Sequence, residues 1–133
     1  MIPCRLAVHR VRRPDDAGQS TVELALTVPL LMLLLLGAVQ VAIVIRGQLT
    51  VVHAAREGAR AAAVAAASGS AAEAAVRDAV ASGDLRRVHV STATGSTSVH
   101  VTVRAIVPTD VPLIGFMVGD VTVNGSATMA VEP

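Results

Sequence analysis

A chain of 133 residues with formal net charge +1 and a single aromatic residue, Phe116, has room for one membrane span and one small domain, with little bulk for a core. Its 11 basic residues are all arginine and never gather into the concentrated basic face that neutralises phosphates, which excludes a nucleic-acid binder. The single cysteine, Cys4, excludes an intramolecular disulfide and a cysteine-rich metal centre; preceded only by Met1, Ile2 and Pro3, it lacks the apolar run of a lipoprotein signal and reads as an ordinary thiol.

Residues 1–18 contain Pro14 and Gly18, show no helical or strand periodicity, and carry Arg5, Arg10, Arg12 and Arg13 against Asp15 and Asp16. They read as a leader whose arginine excess favours cytoplasmic retention beside a span. Ser20 followed by Glu23 fits a capping box, which places a helix start there. From Leu24 to Ile45 no residue is charged, and Thr27 and Gln40 are its only polar side chains. At about 1.5 Å per residue the segment is roughly 33 Å long, enough to cross a hydrocarbon core of about 30 Å. It is a span, or the hydrophobic part of an export signal.

Nothing stops this helix before Ser68-Gly69, so it is predicted from about Ser20 to Ala67, with a bend or local loosening near residues 25–29 where Pro29 removes a backbone donor. Its second half sets Arg46, Arg56, Glu57 and Arg60 among Val51, Ala54, Ala55, Ala59 and Ala62, small residues that let helices approach closely. Ser70 and Glu73 repeat the capping-box pattern and open a short second helix to about Ala81, before Ser82-Gly83.

Beyond it the hydrophobic period changes from 3.6 to 2, predicting strands near 85–92, 98–107 and 121–131, with Thr94-Gly95-Ser96 turning the first two into an antiparallel hairpin. The mostly apolar connection from Pro108 to Asp120 reads as irregular, as a short apolar helix, or as a membrane-skimming loop. One face of the sheet is valine-rich and needs a cover, for which the second helix and the soluble half of the first are available. The expected fold class is α+β: a long N-terminal transmembrane helix, a short second helix and a small three-stranded antiparallel sheet. The expected division is a leader over 1–18, a transmembrane helix over 19–46 and an extracytoplasmic α+β domain over 47–133.

No catalytic constellation, Gly-rich phosphate loop or metal-ligand spacing emerges around His9, His53, His89 and His100. His89 and His100 either face each other across the hairpin or lie on its solvent face. Arg56 and Arg60, four apart on one helix face, repel mildly unless carboxylates answer them; a subunit contact involving Arg56, Glu57 and Arg60 and plain solvation are both open. Glu23 places a carboxylate at the headgroup boundary, where an unpaired ion is costly. It is either a helix cap or a functional group.

The run Gly18-Gln19-Ser20-Thr21-Val22-Glu23, followed by the apolar helix, resembles the processing site of type IV prepilins and pseudopilins. Extended through Leu24-Ala25-Leu26, Pro29 and Ala54-Ala55-Arg56-Glu57-Gly58-Ala59-Arg60, the chain from Gly18 onward resembles the TadE-like family of the tight-adherence (Flp-type) pilus system. The resemblance implies a pilin-like fold and a minor pseudopilin-like structural subunit, with no catalysis and no cofactor. It implies cleavage of Gly18-Gln19 on the cytoplasmic side by a prepilin-type aspartyl peptidase, and a Glu23 carboxylate that meets the new amine of an adjacent subunit. The partners implied are the bilayer, that peptidase, other pilin-like subunits and the assembly platform, with the protein crossing the cytoplasmic membrane once, N-terminus inside. The competing reading is a secreted or membrane-anchored binding module that uses residues 24–45 as an export signal or generic anchor. Gly18 with Glu23 discriminates, since neither an anchor nor an export signal needs that pair.

Overall fold

The computed structural model describes residues 15–65, 68–112 and 115–131. The arginines and Cys4 of the leader, and Leu113 and Ile114 of the long connection, lie outside the described residues. The elements in chain order are α1 (Asp15–Val64), α2 (Ser68–Val80), β1 (Arg86–Thr94), β2 (Ser98–Val107), α3 (Gly115–Val118) and β3 (Val121–Ala130). This is the α+β arrangement expected: a long apolar N-terminal helix, a short second helix and one three-stranded antiparallel sheet in the order β1-β2-β3. The chain divides into two compact units, Met1–Leu34 and Leu35–Pro133, and α1 contributes to both.

In the first unit, α1 is rich in leucine, a strong helix former, and passes through Pro29 as one element. Its apolar side chains from Val22 to Leu34 are exposed, among them Leu24, Leu26, Leu30, Leu31 and Leu34. A helix of this length and apolarity is able to cross a membrane.

The second unit is held by a core of small side chains. Val51, Ala54, Ala55, Ala59 and Ala62 of α1 and Ala72 and Val76 of α2 pack with Val99, Val101, Val103, Ala105 and Val107 of β2 and Val123 of β3. Burial in β2 alternates strictly, with its odd-numbered residues inward. Gly125 of β3 sits over the α1 backbone, where an added Cβ would lie 2.9 Å from both the Cα and the N of Val52. Gln48 Nε2 donates to the Asn124 carbonyl at 2.8 Å beside this contact.

Two sequence expectations are corrected. The helix begins by Asp15 rather than Ser20, so Ser20 lies inside α1 and is not its N-cap, and the last residues before Gly18 are helical. Pro-Asp-Asp is itself a helix-start order, because proline lacks the amide that a first turn leaves unbonded and carboxylates favour the positive end of the dipole. The break between helices falls after Val64, so Gly69 lies within α2 and does not stop α1. At the start of α2 the Ser68 hydroxyl lies 3.0 Å from that of Thr94. The Glu73 carboxylate pairs forward with Arg77 at 3.0 Å.

The strands follow the alternation read from the sequence, with one addition. Arg86 pairs with Ile106 but His89 pairs with Arg104, so β1 carries one extra residue, and Arg87 takes φ 51° there. This bulge brings Val90 opposite buried Val103 on the inner face; in an unbroken register the β1 valines would point outward.

Candidate functional site

The residues that carry chemistry in the sequence fall into two groups, one in each unit. Gly18, Gln19 and Glu23 lie on consecutive turns of α1 and are exposed. Space around Gly18 is open: a Cβ built there meets nothing within 4 Å. Gln19 and Glu23 are four residues apart, so they share one face of the helix. The backbone carbonyl of Glu23 accepts a hydrogen bond from Thr27 Oγ1 at 2.7 Å, a back-bond next to the position where Pro29 withholds an amide. The carboxylate of Glu23 projects from an uninterrupted helix and does not close a helix start.

The second group is the run from Ala54 to Arg60, which divides by face. Ala54, Ala55 and Ala59 are fully buried in the core, Glu57 is half-buried, and Arg56 and Arg60 are exposed. Gly58 is the pivot of this motif. A Cβ there would stand 2.7 Å from Val76 Cγ2 and 3.3 Å from Val101 Cγ1, so its absence lets α1 approach α2 and the sheet together. Sequence reasoning assigned the small residues to close helix packing but did not single out Gly58. The signal was a glycine costing about 1 kcal/mol of helix propensity in the middle of a helix, a residue that needs a reason to be there.

The two histidines of the hairpin do not face each other. His89 pairs with Arg104 and His100 with Ala93. The imidazole of His100 is instead engaged across the outer face, with Nδ1 2.7 Å from Thr128 Oγ1 and Nε2 3.3 Å from Thr102 Oγ1. Among the described residues no three of His, Cys, Asp and Glu come together as a metal site. A cavity of about 240 Å³ in the second unit is lined by Ile43, Arg46, Gly47, Asp84, Leu85 and Asp110, and holds none of the motif residues.

What the geometry offers is therefore a presented peptide bond and carboxylate on an exposed apolar helix, and an exposed arginine pair over an alanine-packed core. Comparison with known proteins agrees with the motif that joins them. No curated protein and no solved structure matches the chain. The family model described as TadE-like protein matches residues 18–60, from the glycine of the N-terminal motif to the second arginine of the alanine-rich motif, and the strand-forming tail lies outside it. Residues 18–60, which contain both groups, are thus similar to TadE-like protein.

Proposed function

We propose that this protein is a minor pseudopilin-like structural subunit in the assembly of a tight-adherence pilus or a related secretion machine. The observation that carries this reading is the TadE-like match, which begins at Gly18 and runs through the exposed apolar helix into the packed domain. The leader stays in the cytoplasm, α1 crosses the membrane once, and the sheet domain lies on the far side.

A prepilin-type aspartyl peptidase hydrolyses the Gly18-Gln19 bond, with water adding across the amide to leave a carboxylate on Gly18 and an ammonium on Gln19. Both residues are helical in the uncut chain, so the peptidase must first unwind this turn to extend it. Gly18 helps twice: it lowers the cost of unwinding by up to about 1 kcal/mol and lets a cleft close on the backbone. Cutting here leaves the span attached, whereas ordinary signal peptidase cuts after the apolar segment and releases the domain.

The new amine and the Glu23 carboxylate both sit at the membrane edge, where each is costly to bury alone. Pairing between the Glu23 of one subunit and the amine of its neighbour lets two charges leave the headgroup region together. Arg56 and Arg60 present charge for a second contact between subunits. The test is the mass of the protein extracted from membranes. A mature chain starting at Gln19, lost on Gly18→Leu with insertion intact, is expected, and a start beyond Ile45 would establish a secreted module instead.

A further inference from the structure

By charge alone the outer end of the span falls at Arg46, the first ionised group after Glu23. Contacts within the second unit begin inside that limit, on one face of α1, while Val41, Ile43 and Ile45 stay exposed on the others. Val107, the last residue of β2, packs against Gly47, and two residues later Thr109 accepts a hydrogen bond from Gln40 Nε2 at 3.0 Å. From Gly47 to Gln40 the axis of α1 advances about 10 Å, so the chain leaving β2 climbs α1 back into its uncharged stretch. The contact is a built one. Gln40 and Thr109 are 5% and 9% exposed. The Thr109 hydroxyl donates to the Gly119 carbonyl at 2.5 Å and its amide donates to Asp120 Oδ1 at 3.3 Å, so Thr109 ties both ends of the connection to α1. With its one hydroxyl hydrogen committed to Gly119, the threonine oxygen can only accept from Gln40, which fixes the orientation of that amide.

With the domain reaching Gln40 on one face only, the uncharged stretch from Leu24 to Ile45 keeps its length of roughly 33 Å, and Val41, Ile43 and Ile45 in its last turns stay exposed. Thr109 then stands beside the outer end of that stretch. From Val111 to Val118 the connection has no charged residue, and α3 lies within that stretch. Val118 is 56% exposed and Pro112 is exposed as well, although neither belongs to the core.

We propose that the β2–β3 connection is a second membrane contact, with α3 resting in the interfacial layer of the outer leaflet and Val118 among lipid. The occupant is lipid because the uncharged, exposed stretch of α1 runs on to Ile45, past the level at which Thr109 is fastened to Gln40. The charges flanking the uncharged stretch fit an electrically neutral surface: Asp110 and Asp120 are both exposed, and Asp110 is paired with Arg86 at 3.5 Å. The span thus ends in a collar and not in a bare helix. This inference rests on the membrane reading above.

The sequence has no tryptophan, so a single introduced one is a unique reporter. The full chain is placed in phosphatidylcholine vesicles with bromine at a shallow or a deep acyl position, carrying Val118→Trp, Leu31→Trp or Ser91→Trp. Expected are a blue-shifted Val118→Trp emission quenched severalfold more by shallow than by deep bromine, a Leu31→Trp emission quenched more by deep bromine, and a Ser91→Trp emission quenched by neither. Quenching at Leu31→Trp without quenching at Val118→Trp overturns the collar and leaves the span standing. A blue shift at Val118→Trp without quenching assigns that surface to protein and also overturns it. Loss of quenching at Leu31→Trp overturns the membrane reading and the collar with it.

Discussion

Between Leu24 and Leu34, α1 exposes leucine, valine and methionine around its whole circumference, whereas between Val51 and Ala63 the same helix buries valine and alanine on one side and exposes His53, Arg56 and Arg60 on the other. The more apolar stretch is the less buried one. Burial in this protein is set by side-chain size and backbone approach, since alanine and glycine allow the sheet and α2 to close on α1, while the bulky apolar stretch is exposed among the described residues and suits a lipid solvent. A helix of this kind states its solvent through its periodicity: uniform apolarity for lipid, one apolar stripe for a protein core.

The contrast is easiest to break where the backbone itself is the neighbour. Gly125→Val should have the largest effect on the domain, about 3 kcal/mol of destabilisation, because the new side chain meets the Val52 backbone, which has no rotamer with which to yield. Urea-dependent proteolysis of the detergent-solubilised protein reads this as a lower midpoint. The same measurement should separate the two halves of the sequence by a pair of truncations. Val101→Ala removes buried methyl groups from a fully enclosed site and should cost about 2 kcal/mol, whereas Leu31→Ala, at a residue 57% exposed, should leave domain stability within about 0.5 kcal/mol of wild type.

Much of this division was legible in the sequence. The uncharged run from Leu24 to Ile45, the change of period after Gly83 and the alternation in 98–107 each encode an element whose side chains alone decide its environment, and β2 and β3 fall within a residue of their predicted bounds. The misses have a common physical origin. Ser20/Glu23 and Ser70/Glu73 have capping-box spacing, but that spacing is local and does not show whether a helix already runs through it. The Arg87 bulge and the burial of Gly58 are set by partners distant in sequence: the inward register of Val90, and Val76 with Val101. Of the candidate site, the residue types from Gly18 to Glu23 were readable, while their presentation on a continuous helix was not. In the alanine-rich motif, the split between buried alanines and exposed arginines became visible only once α2 and the sheet were in place.

Smaller effects sharpen the account on the exposed faces. Glu23→Gln should leave insertion and domain stability intact while lowering co-purification with pilin-like partners about tenfold, the equivalent of roughly 1.4 kcal/mol, and Glu23→Ala should lower it further. Wild-type association by both variants would reduce Glu23 to a local helix residue. Arg77→Ala should do least: its pair with Glu73 is an i,i+4 contact with side chains 74% and 51% exposed, so about 0.3–0.5 kcal/mol of domain stability is the expected loss, fading as salt is raised.

The central claim, that one helix changes solvent along its length, is tested most directly by cysteine scanning of α1 in native membranes with a membrane-impermeant maleimide, with Cys4 replaced by serine. The account predicts no labelling at any position from Val22 to Gly37, and a helical pattern beyond Arg46, with positions 49, 53, 56 and 60 labelled and positions 51, 54, 55 and 59 protected. A helical pattern of labelling in the first stretch as well would show a protein-packed helix facing water there, and would contradict it.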